Sequence, residues 1–228
     1  MENKNQTHEM KGGRKTNAEL YVQLAIIGIL AIAIVFSAGK IFGSGGVTGA
    51  AIGTGIGTVS ASEIIPTGVP AIYGKELGVS YDNISPNDQR KADATINVLA
   101  NLDTSIELQG ENLQRYIDIA SQISCEYCCG AESIIFSNGQ AACGCAHSYS
   151  MRGLAKYLIT KHGSEYTDDE ILSELGKWKV LFFPGIHEQK AAVLKSRGIE
   201  LNYINLASNK YRGIEQGQAS GGSMVGGC

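Results

Sequence analysis

Five of the six cysteines and one of the four histidines fall in a single stretch, Cys125-Glu-Tyr-Cys128-Cys129-Gly130 followed by Cys143-Gly-Cys145-Ala-His147. The sixth cysteine, Cys228, follows a Gly/Ser-rich tail. Thiolate and imidazole are the donors that zinc and other thiophilic metals select, and C-x2-C and C-x-C pairs are a common way to present them. The spacing therefore points to metal binding before any other chemistry.

Between the two thiol groups lies the one segment that reads as β-structure. Ser133 to Phe136 and Gln140 to Cys143 flank Asn138-Gly139, a strong signal for a two-residue hairpin. That turn sets Ser137 against Gln140, Ile134 against Cys143 and Glu132 against Cys145. It returns the second thiol pair to the first. Cys125 and Cys128 are expected at the end of a helix or in the knuckle after it, with Gly130 as the left-handed residue. His147 stands at the entry of the next helix. A knuckle, a hairpin and a helix start together resemble the arrangement of a treble-clef zinc site. Cys125, Cys128, Cys143 and Cys145 are the first-choice ligands, with Cys129 and His147 as extra or substitute donors. More donors than one zinc needs also fits Cu(I) or a small multi-metal thiolate cluster. Met151 shares a helical face with His147 and is read as core.

Two other chemistries stay open. An exported domain meets oxidising conditions, and cross-hairpin pairs such as Cys125 with Cys145 are within disulfide reach. The domain would then be a stapled interaction module without metal. Alternatively, Cys125-x-x-Cys128 is a thiol–disulfide redox pair. Cys228 is expected either to sit in a flexible tail or to reach back as a further metal ligand. No carboxylate pair or nucleophile–base set stands out, so no catalytic residue is assigned.

The elements that place the cluster begin with Leu20–Gly39, an uncharged run whose length covers a bilayer at about 1.5 Å per residue. Lys4, Lys11, Arg14 and Lys15 precede it, and after Lys40 no basic residue occurs until Lys75. The positive-inside bias keeps the N-terminus cytoplasmic and exports the rest. Uncleaved, the run is a signal anchor, although Phe36-Ser-Ala-Gly39 also offers a cleavage point. The chain then divides into a cytoplasmic tail at 1–19, a transmembrane anchor at 20–42, a Gly/Ser/Thr-rich linker at 43–63, a helical cysteine-cluster domain at 64–215, and a flexible Gly-rich tail at 216–228. The expected class is mainly α with a small β-hairpin, in a single-pass cell-membrane protein with its domain outside. Its partner is the lipid bilayer through residues 20–42; a protein partner or a second copy is left open.

A formal charge of −3 and a pI near 5.8 give no footprint for nucleic acid. Helices are expected from Ser85-Pro86 to Asn101, over 111–123, from about Ser148 to Gly163, after the Thr167–Glu170 capping box, and from Pro184 to Gly198. Trp178 is read as core. His162 and His187 are read as ordinary surface or cap residues.

The stretch Cys125-Glu-Tyr-Cys-Cys-Gly130 with Cys143-Gly-Cys-Ala-His-Ser-Tyr-Ser-Met-Arg-Gly-Leu-Ala-Lys-Tyr-Leu158 resembles a group of uncharacterised, membrane-anchored archaeal cysteine-rich proteins. Cys143-Gly-Cys145 is more distantly similar to the end of the motif of the PCYCGC family of exported proteins, with Ala141 and Ala142 departing from it. The resemblance spans about residues 120–185 and implies a metal-type cysteine cluster; zinc or copper is the ion expected from the thiolate donors themselves.

Overall fold

The computed structural model describes residues 59–216 and 224–226. The expected cytoplasmic tail, the membrane anchor at 20–42, most of the linker and Cys228 lie outside the described residues. Among the described residues no helix is long and apolar enough to cross a membrane.

The described chain is mainly helical. Its elements are α1 (Ala61–Ile64), α2 (Gly74–Leu77), α3 (Gln89–Ser105), α4 (Gly110–Ala120), α5 (Ala146–His162), α6 (Asp168–Phe182), α7 (Pro184–Ser196) and α8 (Tyr203–Ala207). Among the described residues β-pairing is limited to two isolated antiparallel bridges, Ile123 with Ser208 and Ile135 with Ala141.

The local signals act at most helix ends. Thr167 and Glu170 answer each other's backbone amides in a capping box, and Pro184 stands at the first position of α7. One start differs from expectation. Asp88 caps α3 by accepting the Lys91 N–H at 3.1 Å, while Ser85 spends its hydroxyl on Asn87 N in the preceding turn. The helix therefore opens at Gln89, not at Ser85-Pro86, and runs on to Ser105.

α5 is the central element. Met151, Leu154, Ala155 and Leu158 are all fully buried, and Gly153 lets the helix approach α3 very closely. A Cβ on Gly153 would lie 2.0 Å from the Leu99 carbonyl oxygen. Beside it Arg152, 1% exposed, pairs with Asp103 at 2.7 Å, and Lys156 reaches the same carboxylate at 2.7 Å. A buried arginine costs much desolvation unless it is fully engaged. Nη1 supplies part of that engagement by donating to the carbonyls of Cys143 at 2.8 Å and Ile134 at 3.2 Å, and the guanidinium lies over the Tyr149 ring, while Nη2 has no hydrogen-bond partner among the described residues. The arginine thus ties α3, α5 and the cysteine segment together.

α6 is buried on nearly every side from Ile171 to Phe182. Trp178 is fully buried as expected and donates its indole N–H to Tyr73 at 2.8 Å. Tyr73 and Tyr81 in turn donate to the Glu174 carboxylate at 2.8 and 2.6 Å. The buried Glu174, Trp178 and Lys179 side chains of this inner helix each have a partner, as burial requires.

Candidate metal centre

α4 ends at Ala120, and the chain passes through Ile123 into a tight turn whose Cys128 and Cys129 amides both donate to the Cys125 carbonyl at 3.3 Å. Cys125 and Cys128 thus sit in the knuckle after the helix. The following segment turns at Ser137-Asn138-Gly139. Only Gly139 takes a positive φ, 82°, and Asn138 spends its side-chain oxygen on the Gln140 N–H at 3.0 Å. A two-residue Asn-Gly turn would need positive φ at both positions. With three residues in the turn, Ala142 N donates to Ile134 O, so Ile134 faces Ala142 and not Cys143. A shift of one residue exchanges the faces of a strand. In this register Cys143 meets Cys129, and the two form a disulfide.

Cys145 then opens α5 as its N-cap, its sulfur accepting the Ser148 N–H at 3.4 Å. The helix begins at Ala146, close to the start expected at about Ser148, and it carries His147 in its first turn. The structure brings together the ligand atoms of Cys125, Cys128, Cys145 and His147, all within 4.8 Å of one another. Cys125 and His147 are fully buried and Cys145 is 8% exposed. This group can hold a metal ion. The expected set had Cys143 where the structure places His147. Cys128 is disulfide-bonded as well, so the four donors ligate together only when it is reduced. Among the described residues Cys125 and Cys145 are the thiols.

Those two thiols share one hydrogen bond, with their sulfurs 3.3 Å apart. The bond shared with Cys125 pushes Cys145 well below the ordinary thiol range, helped by His147 and the Ser148 amide and opposed by burial. The bond shared with Cys145, then burial, pushes Cys125 up. The charge belongs on Cys145 because it stands at the positive end of a helix. His147 is fixed on three sides. Its ring lies 4.6 Å from Phe182 and 5.1 Å from Phe183, and Nε2 is 2.8 Å from the Val225 carbonyl. A carbonyl only accepts, so Nε2 donates to it, and Nδ1 is the ring nitrogen that a metal would take. Metal-binding histidines are commonly oriented by such a bond.

Several residues that build the site carry no cysteine signature. Glu126, inside the C-x2-C knuckle, has a side chain only 7% exposed that faces Lys179 at 2.9 Å, Arg212 at 3.4 Å and Lys190 at 3.9 Å. Lys179 also donates to the Ala207 carbonyl at 2.8 Å. Burial pushes Lys179 down to about 8 against the pull of Glu126. His187 is fully buried rather than a surface residue, with Nδ1 on the Phe183 carbonyl at 2.8 Å. Burial, then Lys179, holds it well below the ordinary histidine range. Met151 is core, as expected. The lysine in the apolar run Trp178-Lys-Val-Leu-Phe-Phe183 is a sequence signal for a buried charge; Val225 leaves none.

No protein-family model, no curated protein and no solved structure matches the chain.

Proposed function

We propose that the chain is a membrane-anchored exported protein whose Cys/His cluster binds a thiophilic metal, zinc or copper, as a structural or metal-handling site. The convergence of Cys125, Cys128, Cys145 and His147 within 4.8 Å carries this reading. Three sulfurs and a nitrogen close a four-coordinate zinc site, and soft thiolates equally suit Cu(I). The buried surroundings and the Val225 carbonyl behind His147 support it, since such a setting orients a ligand before the ion arrives. The anchor rests on the apolar run within 20–42 and the basic residues before it. The resemblance to archaeal membrane-anchored cysteine-rich proteins belongs to the same reading.

The test uses the full chain in detergent, reduced under anaerobic conditions, loaded with zinc or copper and passed into metal-free buffer. Elemental analysis should find at least about one tightly held equivalent. A folded, fully reduced protein that retains none would end the metal reading. One observation favours a second reading, a disulfide-stapled exported domain without metal: Cys129 and Cys143 are already joined. On that reading, stability falls on reduction and is then indifferent to metal or chelator.

A further inference from the structure

The cluster holds a second group of donors. Cys129, Cys143 and Cys145 also have their sulfurs within 4.8 Å of one another, and Cys145 belongs to both groups. Its sulfur stands 3.5 Å from that of Cys143 and 3.3 Å from that of Cys125. Cys145 therefore lies between the groups, not at the edge of one. A thiolate sulfur keeps lone pairs after binding one ion and can bridge to another.

We propose that the reduced cluster is a two-metal centre in which Cys145 bridges a four-donor position (Cys125, Cys128, Cys145, His147) and a three-sulfur position (Cys129, Cys143, Cys145). The Cys129–Cys143 disulfide is the lock on the second position. This inference rests on the metal reading above and adds a second ion and its control.

Three thiolates with no nitrogen or oxygen donor make the softer of the two positions, and soft sulfur sets select Cu(I). The position also has a mouth. Cys129 is exposed, whereas Cys143 and Cys145 are 5% and 8% exposed. An ion handed over by an outside thiolate would meet Cys129 first and pass inward by ligand exchange. Both inner sulfurs sit on anchored backbone: Arg152 donates to the Cys143 carbonyl, and Cys145 is held as a helix cap.

Unlocking is a thiol–disulfide exchange with an external dithiol. One thiolate of the dithiol attacks a sulfur of the Cys129–Cys143 bond and expels the other sulfur as thiolate. The second thiol then closes the reductant into a disulfide and releases the remaining cysteine. Two electrons pass from the dithiol to the cystine, and its two protons end on Cys129 and Cys143. Cu(I) then displaces those protons. Reoxidation by a disulfide-class oxidant withdraws both sulfurs from the ion.

The test is anaerobic titration of the dithiothreitol-reduced, desalted full chain in detergent with Cu(I) against a competing chelator. Wild type should take two tight equivalents, and the Cys129→Ser/Cys143→Ser variant one. The single Cys129→Ser variant, at an exposed position, guards against a folding defect and should also take one. X-ray absorption should show copper–copper scattering in wild type that is absent from both variants. One equivalent in wild type and variants alike would overturn the bridge and leave the four-donor site standing. None in wild type would overturn both.

Discussion

α5 carries a histidine near each end, and the fold uses the two in opposite ways. At the N-terminal end His147 is fully buried against Phe182 and Phe183, with a carbonyl behind it and sulfurs around it. At the C-terminal end His162 sits between two carboxylates, Glu165 at 2.8 Å and Glu76 at 3.1 Å. The helix dipole favours this division, since a thiolate belongs at the positive end and an imidazolium at the negative end. One histidine offers a ligand nitrogen and a packed ring; the other offers a charge that clasps α2 to the last turn of α5. Residue type alone does not separate a ligand from a clasp. The groups set around each ring do.

The comparison depends on one straight helix holding both ends, and Gly153 is where it breaks most severely. In Gly153→Ala the new methyl meets the Leu99 carbonyl at 2.0 Å and the Asp103 nitrogen at 2.8 Å. Both neighbours are backbone, so no rotamer relieves the contact. We expect a loss of about 3 kcal/mol, or roughly 6–12 °C in Tm for a domain of this size. Hydrogen exchange should show weaker protection at both ends of α5. A wild-type Tm would mean that the two helices are not locked here.

His147→Phe separates packing from ligation. The ring volume between Phe182 and Phe183 is kept, while the Val225 carbonyl loses its donor and the metal loses its nitrogen. The apo protein should lose about 1–2 kcal/mol for the orphaned carbonyl. In metal titrations of the reduced chain, affinity at the four-donor position should fall by at least about tenfold. An unchanged affinity with a lowered apo stability would make His147 a packing residue only.

The helical frame was open to sequence reasoning where the signals are local. The Thr167–Glu170 box, Pro184 and the apolar stripes around Met151 and Trp178 each act within a few residues. The α3 start went astray because two capping signals, Ser85 and Asp88, compete three residues apart, and only the structure tells which amide each one takes. α8, at five residues, is too short to show a period. The cluster was legible as a unit, because thiol spacing survives any detail of the turn. Its partition was not, since a three-residue turn in place of a two-residue one re-pairs Cys143. Cys145 is a weaker capping type than the nearby Ser148, so its role at the helix start was also hidden. The Val225 contact lies 78 positions from His147 and has no local trace.

The smallest effect, and the one that most sharpens the contrast between the two ends, is the pH dependence of His162. Burial lowers its pKa, but hydrogen bonds and attraction from Glu165 and Glu76 outweigh burial and raise it above 6.5. Tyr157, which also donates to Glu76, and Lys161 are the other polar neighbours at this end. A raised folded-state pKa means that the folded protein binds the proton more tightly than the unfolded chain. The stabilisation is then fully present below the unfolded value of about 6.5 and is lost as pH rises through the folded one. Because both carboxylates are exposed, solvent screening holds the effect to about 0.5–1 kcal/mol. Denaturant unfolding of His162→Gln and wild type should differ by that amount near pH 5.5 and converge as pH rises through the raised folded-state pKa. Added salt should shrink the low-pH difference, as expected for partly exposed pairs. A pH-independent difference would show that His162 acts through packing, as its counterpart at the other end of the helix does, and would remove the contrast.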